Sequence, residues 1–107
     1  MSDQLRSGIV FFNAGQYFEA HEAWEDMWRP TQGPLRLYYQ GLVQAAVGLH
    51  HLQKGNLNGA TAQLKKSLSK LEQYPAKFCG IDNGALSADL RDVLEGRSTR
   101  PVHIKID

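Results

Sequence analysis

Tyr17-Phe18-Glu19-Ala20-His21-Glu22-Ala23-Trp24-Glu25-Asp26-Met27-Trp28 is the stretch whose winding decides the fold. It is rich in helix formers and holds no glycine or proline, while Pro30 just beyond it biases Arg29 away from helical geometry. A helix over Tyr17 to Arg29 follows. At about 100° per residue, Ala20, Ala23, Trp24 and Met27 fall on one face, which reads as core, and Glu19 and Asp26 read as solvated. The remaining arc gathers Phe18, His21, Glu22, Glu25 and Trp28. Two carboxylates and an imidazole thus share a surface with two aromatics.

Outward from this helix the pattern stays helical. Leu5, Ile9, Phe11 and Phe12 recur at near-helical spacing from Asp3 to Ala14, and Gly15 stands where a C-terminal cap belongs. Thr31-Gln32-Gly33-Pro34 is a turn, with Pro34 suited to the first position of a third helix running to about Lys54. Gly55-Asn56 ends that helix. A fourth, amphipathic helix spans Leu57 to Gln73, with Leu64, Leu68 and Leu71 on one face and Lys65, Lys66 and Lys70 on another. Cys79 to Gly84 reads as a loop of turn residues, and Leu86, Leu90, Val93 and Leu94 outline a short fifth helix closed by Gly96. In the tail, Val102, Ile104 and Ile106 alternate with His103, Lys105 and Asp107, the period of an extended segment with one buried face. A lone strand makes no sheet, so the tail is expected to lie as a strip on the helices. The expectation is an all-α fold: one domain over residues 1–107, a compact irregular array of about five helices with a short extended C-terminal tail.

Composition narrows the function classes. The 107 residues carry 12 Lys and Arg against 11 Asp and Glu, a net charge of +1, so no strong field draws nucleic acid or an anionic membrane. Leu42 to Leu52 is about half a membrane span and is interrupted by Gln44, Gly48, His50 and His51, which makes it a core helix. The opening Met1-Ser2-Asp3-Gln4 lacks an export signal, and the single cysteine, Cys79, fits a reducing compartment; the expected location is cytoplasmic.

The third helix offers a complement to the arc of the second. Gln40, Gln44, Val47 and His51 form one stripe, while Leu42, Val43, Ala45, Ala46 and Leu49 occupy other faces. The short turn makes the two helices neighbours, so the polar stripes are expected to meet in a partly buried pocket, with Gly41 and Gly48 letting another helix approach closely. The candidate ligand-binding set is Phe18, His21, Glu22, Glu25, Trp28, Gln44 and His51. Within it, His21 and Glu25 at i and i+4, with His51 opposite, are the candidate ligands for a divalent metal. Whether the chain is an enzyme stays open; metal-activated water would best suit these groups for hydrolysis. His21-Glu22-Ala23-Trp24-Glu25 looks like a zinc-protease helix whose second histidine is replaced by glutamate, which disfavours proteolysis. Phe18 stands three before His21 where di-iron bundles carry glutamate, which disfavours ferritin-like chemistry. The alternative reading is a protein-interaction or homo-oligomer module. There the cluster is a structural hydrogen-bond network, with His21 on Glu25, Gln44 bonded across and His51 on a carboxylate. His50, about 100° from His51, reads as surface or helix packing.

Three blocks in order, Phe12 to Arg29, Gly41 to His51 and Gly55-Asn56-Leu57-Asn58-Gly59-Ala60, resemble the bacterial and archaeal domain-of-unknown-function 309 family. The resemblance implies a compact array of about five helices with no assigned activity. Its signature positions correspond here to Phe18, His21, Glu22, Glu25, Trp28, Gln44 and His51. The tail beyond Gly96 lies outside those blocks.

Overall fold

The computed structural model describes all 107 residues and contains five helices: α1 (Asp3–Asn13), α2 (Tyr17–Trp28), α3 (Pro34–Gln53), α4 (Leu57–Leu71) and α5 (Asn83–Leu94). Each starts and stops for a local reason. The Ser2 side chain accepts the Leu5 N–H at 3.1 Å to cap α1, and Asn56 does the same for α4 through Gly59 N–H at 2.9 Å. Gly15, Gly33 and Gly55 all sit at positive φ in the turns between the first four helices. The helices end one or two residues before the limits their periodicity suggests, because the last residues serve as caps.

Successive helices α1 to α4 pack as neighbours, and α5 packs on α4. The core runs from Leu5, Ile9 and Phe12 through Trp24, Tyr38 and Leu42 to Leu64, Leu71 and Leu90, all essentially inaccessible to water. Small residues set the close crossings. A Cβ on Gly41 would lie 2.9 Å from Leu71 Cδ2, and one on Gly48 would lie 2.9 Å from Leu64 Cδ2, so α3 and α4 touch nearly backbone to side chain. There the Ser67 hydroxyl, fully buried, donates to Gly41 O at 2.7 Å.

Two sequence expectations are corrected. The 79–84 segment is not a plain loop: Lys77–Phe78 (β1) pairs antiparallel with Ile81–Asp82 (β2) across a two-residue turn in which Cys79 and Gly80 both have positive φ, and α5 begins at Asn83. The tail does not merely rest on helices. Ile106 bridges Ile81 antiparallel, Asp82 N–H donates to Lys105 O at 2.8 Å, and Asp107 N–H donates to Gly80 O at 2.9 Å. On its other side the Asn13 amide imitates a neighbouring strand, donating to Ile104 O at 3.0 Å and accepting Ile104 N–H at 2.7 Å. Val102 and Ile104 are buried, as their alternation suggests.

Burial of three tyrosines has a measurable consequence. Removal from water pushes the Tyr38 hydroxyl far above the ordinary tyrosine range, and burial also raises Tyr17, against partial opposition from the Val102 backbone, and Tyr39. A tyrosine with a raised folded pKa stabilises fully below its unfolded value of about 10 and loses that contribution as pH climbs toward the folded value. The urea midpoint is therefore expected to hold up to about pH 8, to begin falling as the Cys79 thiol, which burial also raises, comes into its range, and to fall more steeply above pH 10, where each such tyrosine contributes a slope of up to ~1.4 kcal/mol per pH unit. An unchanged midpoint through pH 11 would contradict this.

Candidate functional site

The predicted stripes of α2 and α3 do face one another, but the residues sort into three environments rather than one pocket. The first is an apolar socket of about 150 Å³ lined by Phe18, His21, Val47, His50 and His51. Phe18 is 46% exposed, its ring 5.9 Å from that of His21 and 5.4 Å from that of His50. The second is a shallower depression along α2 that shares Phe18 and His21 and adds Glu22, Glu25, Asp26 and Arg29. The third holds Trp28 and Gln44, which line neither depression.

Trp28 is held at the end of α2 by Arg36. The Arg36 guanidinium lies over its ring at 4.4 Å, and Arg36 Nη1 donates to Trp28 O, Arg29 O and Thr31 O at 3.1 to 3.2 Å, which closes the C-terminus of α2. Trp28 Nε1 and Gln44 Oε1 are buried and have no hydrogen-bond partner. Gln44 is thus not bonded across the two helices through its oxygen, as a satisfied network requires.

His21 and Glu25 meet as their i, i+4 spacing suggests, His21 Nε2 lying 2.9 Å from Glu25 Oε2, with Arg29 3.9 Å from the same oxygen. His51 turns instead to Asn56, whose Nδ2 lies 3.3 Å from His51 Nδ1. Asn56 Oδ1 is taken by Gly59 N–H, so its amide nitrogen is the atom that faces His51. His51 Nδ1 must then accept, which leaves the ring proton on Nε2. Gly59 permits this arrangement, since a Cβ there would lie 3.0 Å from His51 Cδ2 and 2.7 Å from Asn56 Nδ2. No three His, Cys, Asp or Glu side chains come close enough together to hold a metal ion.

His50 and Arg36 are the residues that reading along the sequence misses. His50 takes the helix-packing place that its angular position on α3 allows: the Phe18 ring reaches across from α2 to contact it, and the two line the socket together. No helix is long and apolar enough to cross a membrane.

The fold is that of a small helical domain with an apolar socket between α2 and α3. A family described as a domain of unknown function, DUF309, matches residues 5–63, more than half of the chain and all of the α2–α3 site, and the chain belongs to that family. An uncharacterized protein of Aquifex aeolicus (strain VF5) is 30% identical over 94 residues, covering 87% of this chain and 28% of that protein. The uncharacterized protein YpuF of Bacillus subtilis (strain 168) is 31% identical over 90 residues, covering 81% of this chain and 52% of YpuF. The chain thus spans about half or less of the length of these relatives.

Proposed function

We propose that the chain is a binding module whose α2–α3 socket receives a single group the size of one side chain. The observation that carries this is the exposed Phe18 ring standing beside an apolar socket of about 150 Å³, well under the roughly 300 to 1,000 Å³ of pockets that enclose whole small ligands. A metal role for His21, Glu25 and His51 has less support, because no three side chains of the ligating types gather closely enough around one point to hold an ion. The free thiol of Cys79 supports a reducing, cytoplasmic setting.

The test uses n-butanol as an uncharged probe, followed by NMR. The Val47 methyl and Phe18 ring signals are expected to move at lower probe concentration than those of Leu57 and Val10, which are more exposed but line no socket. Equal movement at all four residues would remove the reading. In parallel, an ion bound only by the folded chain at a hundredfold excess over its Kd would add about 2.7 kcal/mol. No such rise in thermal stability is expected with Zn²⁺, Mn²⁺ or Mg²⁺. A rise abolished by His21→Ala would restore the metal reading.

A further inference from the structure

We infer that the occupant of the socket is an arginine side chain on a basic segment of a partner protein, an inference that rests on the socket being a binding site. The argument begins with charge. Over Tyr17–Trp28, α2 carries Glu19, Glu22, Glu25 and Asp26 and no lysine or arginine, on a chain whose overall charge is close to neutral. Glu25 and Asp26 are engaged by His21 and Arg29, whereas Glu19 and Glu22 have no ionic partner, and Glu22 is exposed in the depression that adjoins the socket. The socket adjoins this depression through Phe18 and His21, and on its other side it adjoins one lined by Glu19 and Lys54 through Phe18 and His50, so around the socket the carboxylates of Glu19, Glu22, Glu25 and Asp26 outnumber the cations of Arg29 and Lys54.

The shape selects the side chain. An arginine has an apolar stem that can lie along Val47 and Phe18 while its head stays in a polar setting. Its planar guanidinium stacks on aromatic faces, and the exposed ring of Phe18 offers one at the socket; the three imidazoles of His21, His50 and His51 must be neutral for a cation to sit beside them. The head would emerge toward Glu22, the free carboxylate next to the socket. A carboxylate-bearing occupant would meet this acidic helix unfavourably, and a purely apolar one would leave Glu22 unused.

The test titrates the intact chain, at mildly alkaline pH, with a short glycine–arginine peptide and with the same peptide carrying citrulline, a neutral group of the same shape. The Phe18 and Val47 signals report binding. The arginine peptide is expected to bind at least tenfold more tightly than the citrulline peptide, and added salt should weaken it. Glu22→Gln should weaken it several-fold, and Phe18→Ala should abolish it. Both positions are exposed, so both variants should melt at the parent temperature. Equal binding of the two peptides overturns the arginine assignment and leaves the socket standing. Failure of both peptides and of n-butanol to move Phe18 and Val47 overturns the socket itself. A chain that light scattering shows to be a dimer, made monomeric by Phe18→Ala, identifies a second copy as the occupant and overturns the proposal.

Discussion

Gly8→Ala is expected to cost the fold roughly 3 to 5 kcal/mol, although helix propensity alone would make it favourable by about 1 kcal/mol. The reason is the crossing of α1 over α2. A Cβ on Gly8 would lie 2.0 Å from Trp24 Nε1 and 2.4 Å from Cδ1, distances that no side chain occupies. The indole cannot step aside cheaply. It is wholly buried, it rests against Phe12 with ring centres 5.6 Å apart, and its Nε1–H donates to Leu5 O at 3.1 Å. Displacing it combines overpacking, about 1 to 3 kcal/mol, with a buried donor left unpaired, about 1 to 3 kcal/mol more. At several degrees per kcal/mol for a domain of this size, Tm should fall by about 15 °C or more. Differential scanning calorimetry decides the sign, since a rise in Tm would mean that the helices are free to separate. Adding Trp24→Phe should make the combined loss smaller than the sum of the single losses, because the two residues compete for the same space.

The contrast between Gly8 and Phe18 shows what the sequence makes legible. The 100° winding of Tyr17 to Trp28 sorts buried Ala20, Trp24 and Met27 from exposed Phe18, Glu19 and Glu22, because burial on one helix is a one-dimensional pattern. The same winding brings His21 to Glu25. It does not tell which imidazole nitrogen faces the carboxylate, since that is set by the side-chain rotamers and not by the spacing. His50 escaped because angular separation on α3 says nothing of how far a ring on α2 can reach. Asn56 looked like a helix stop and is also the group that fixes the His51 ring proton, a double role visible only once α4 packs back on α3. Gly8 gave no signal either: a glycine inside a helix reads as a weak point until the indole beneath it is seen. The β1–β2 hairpin fell below detection because strands of two residues have no period to read. The alternating tail was readable, and only its partner was not.

Asn83→Asp is the second large effect, and its pH dependence identifies its cause. Asn83 stands in a stretch whose composition suggests an exposed loop, yet it is 2% exposed. Its Nδ2 donates to Leu71 O at 2.9 Å and lies 3.2 and 3.4 Å from Pro75 O and Tyr74 O, which ties the C-terminus of α4 to the start of α5. Its Oδ1 accepts the Tyr38 hydroxyl at 3.2 Å. Aspartate keeps the shape but turns an oxygen toward three carbonyls. At neutral pH the variant is expected to lose about 4 kcal/mol or more, combining unpaired carbonyls at about 1 to 3 kcal/mol with a buried uncompensated charge. The folded state would then hold the new carboxyl protonated, raising its pKa above the unfolded value of about 3.9. Such a group binds more protons folded than unfolded, so the stability of the variant should recover as pH falls from 7 toward 4, the reverse of an ion-paired carboxylate. Asn83→Ala removes the same donor without adding charge, and its loss of about 2 to 3 kcal/mol should be the same at pH 5 and pH 7. Urea unfolding of both variants at those two pH values separates the terms. An Asn83→Asp chain within about 1 kcal/mol of the parent at pH 7 would show that the amide does not hold the two helices together.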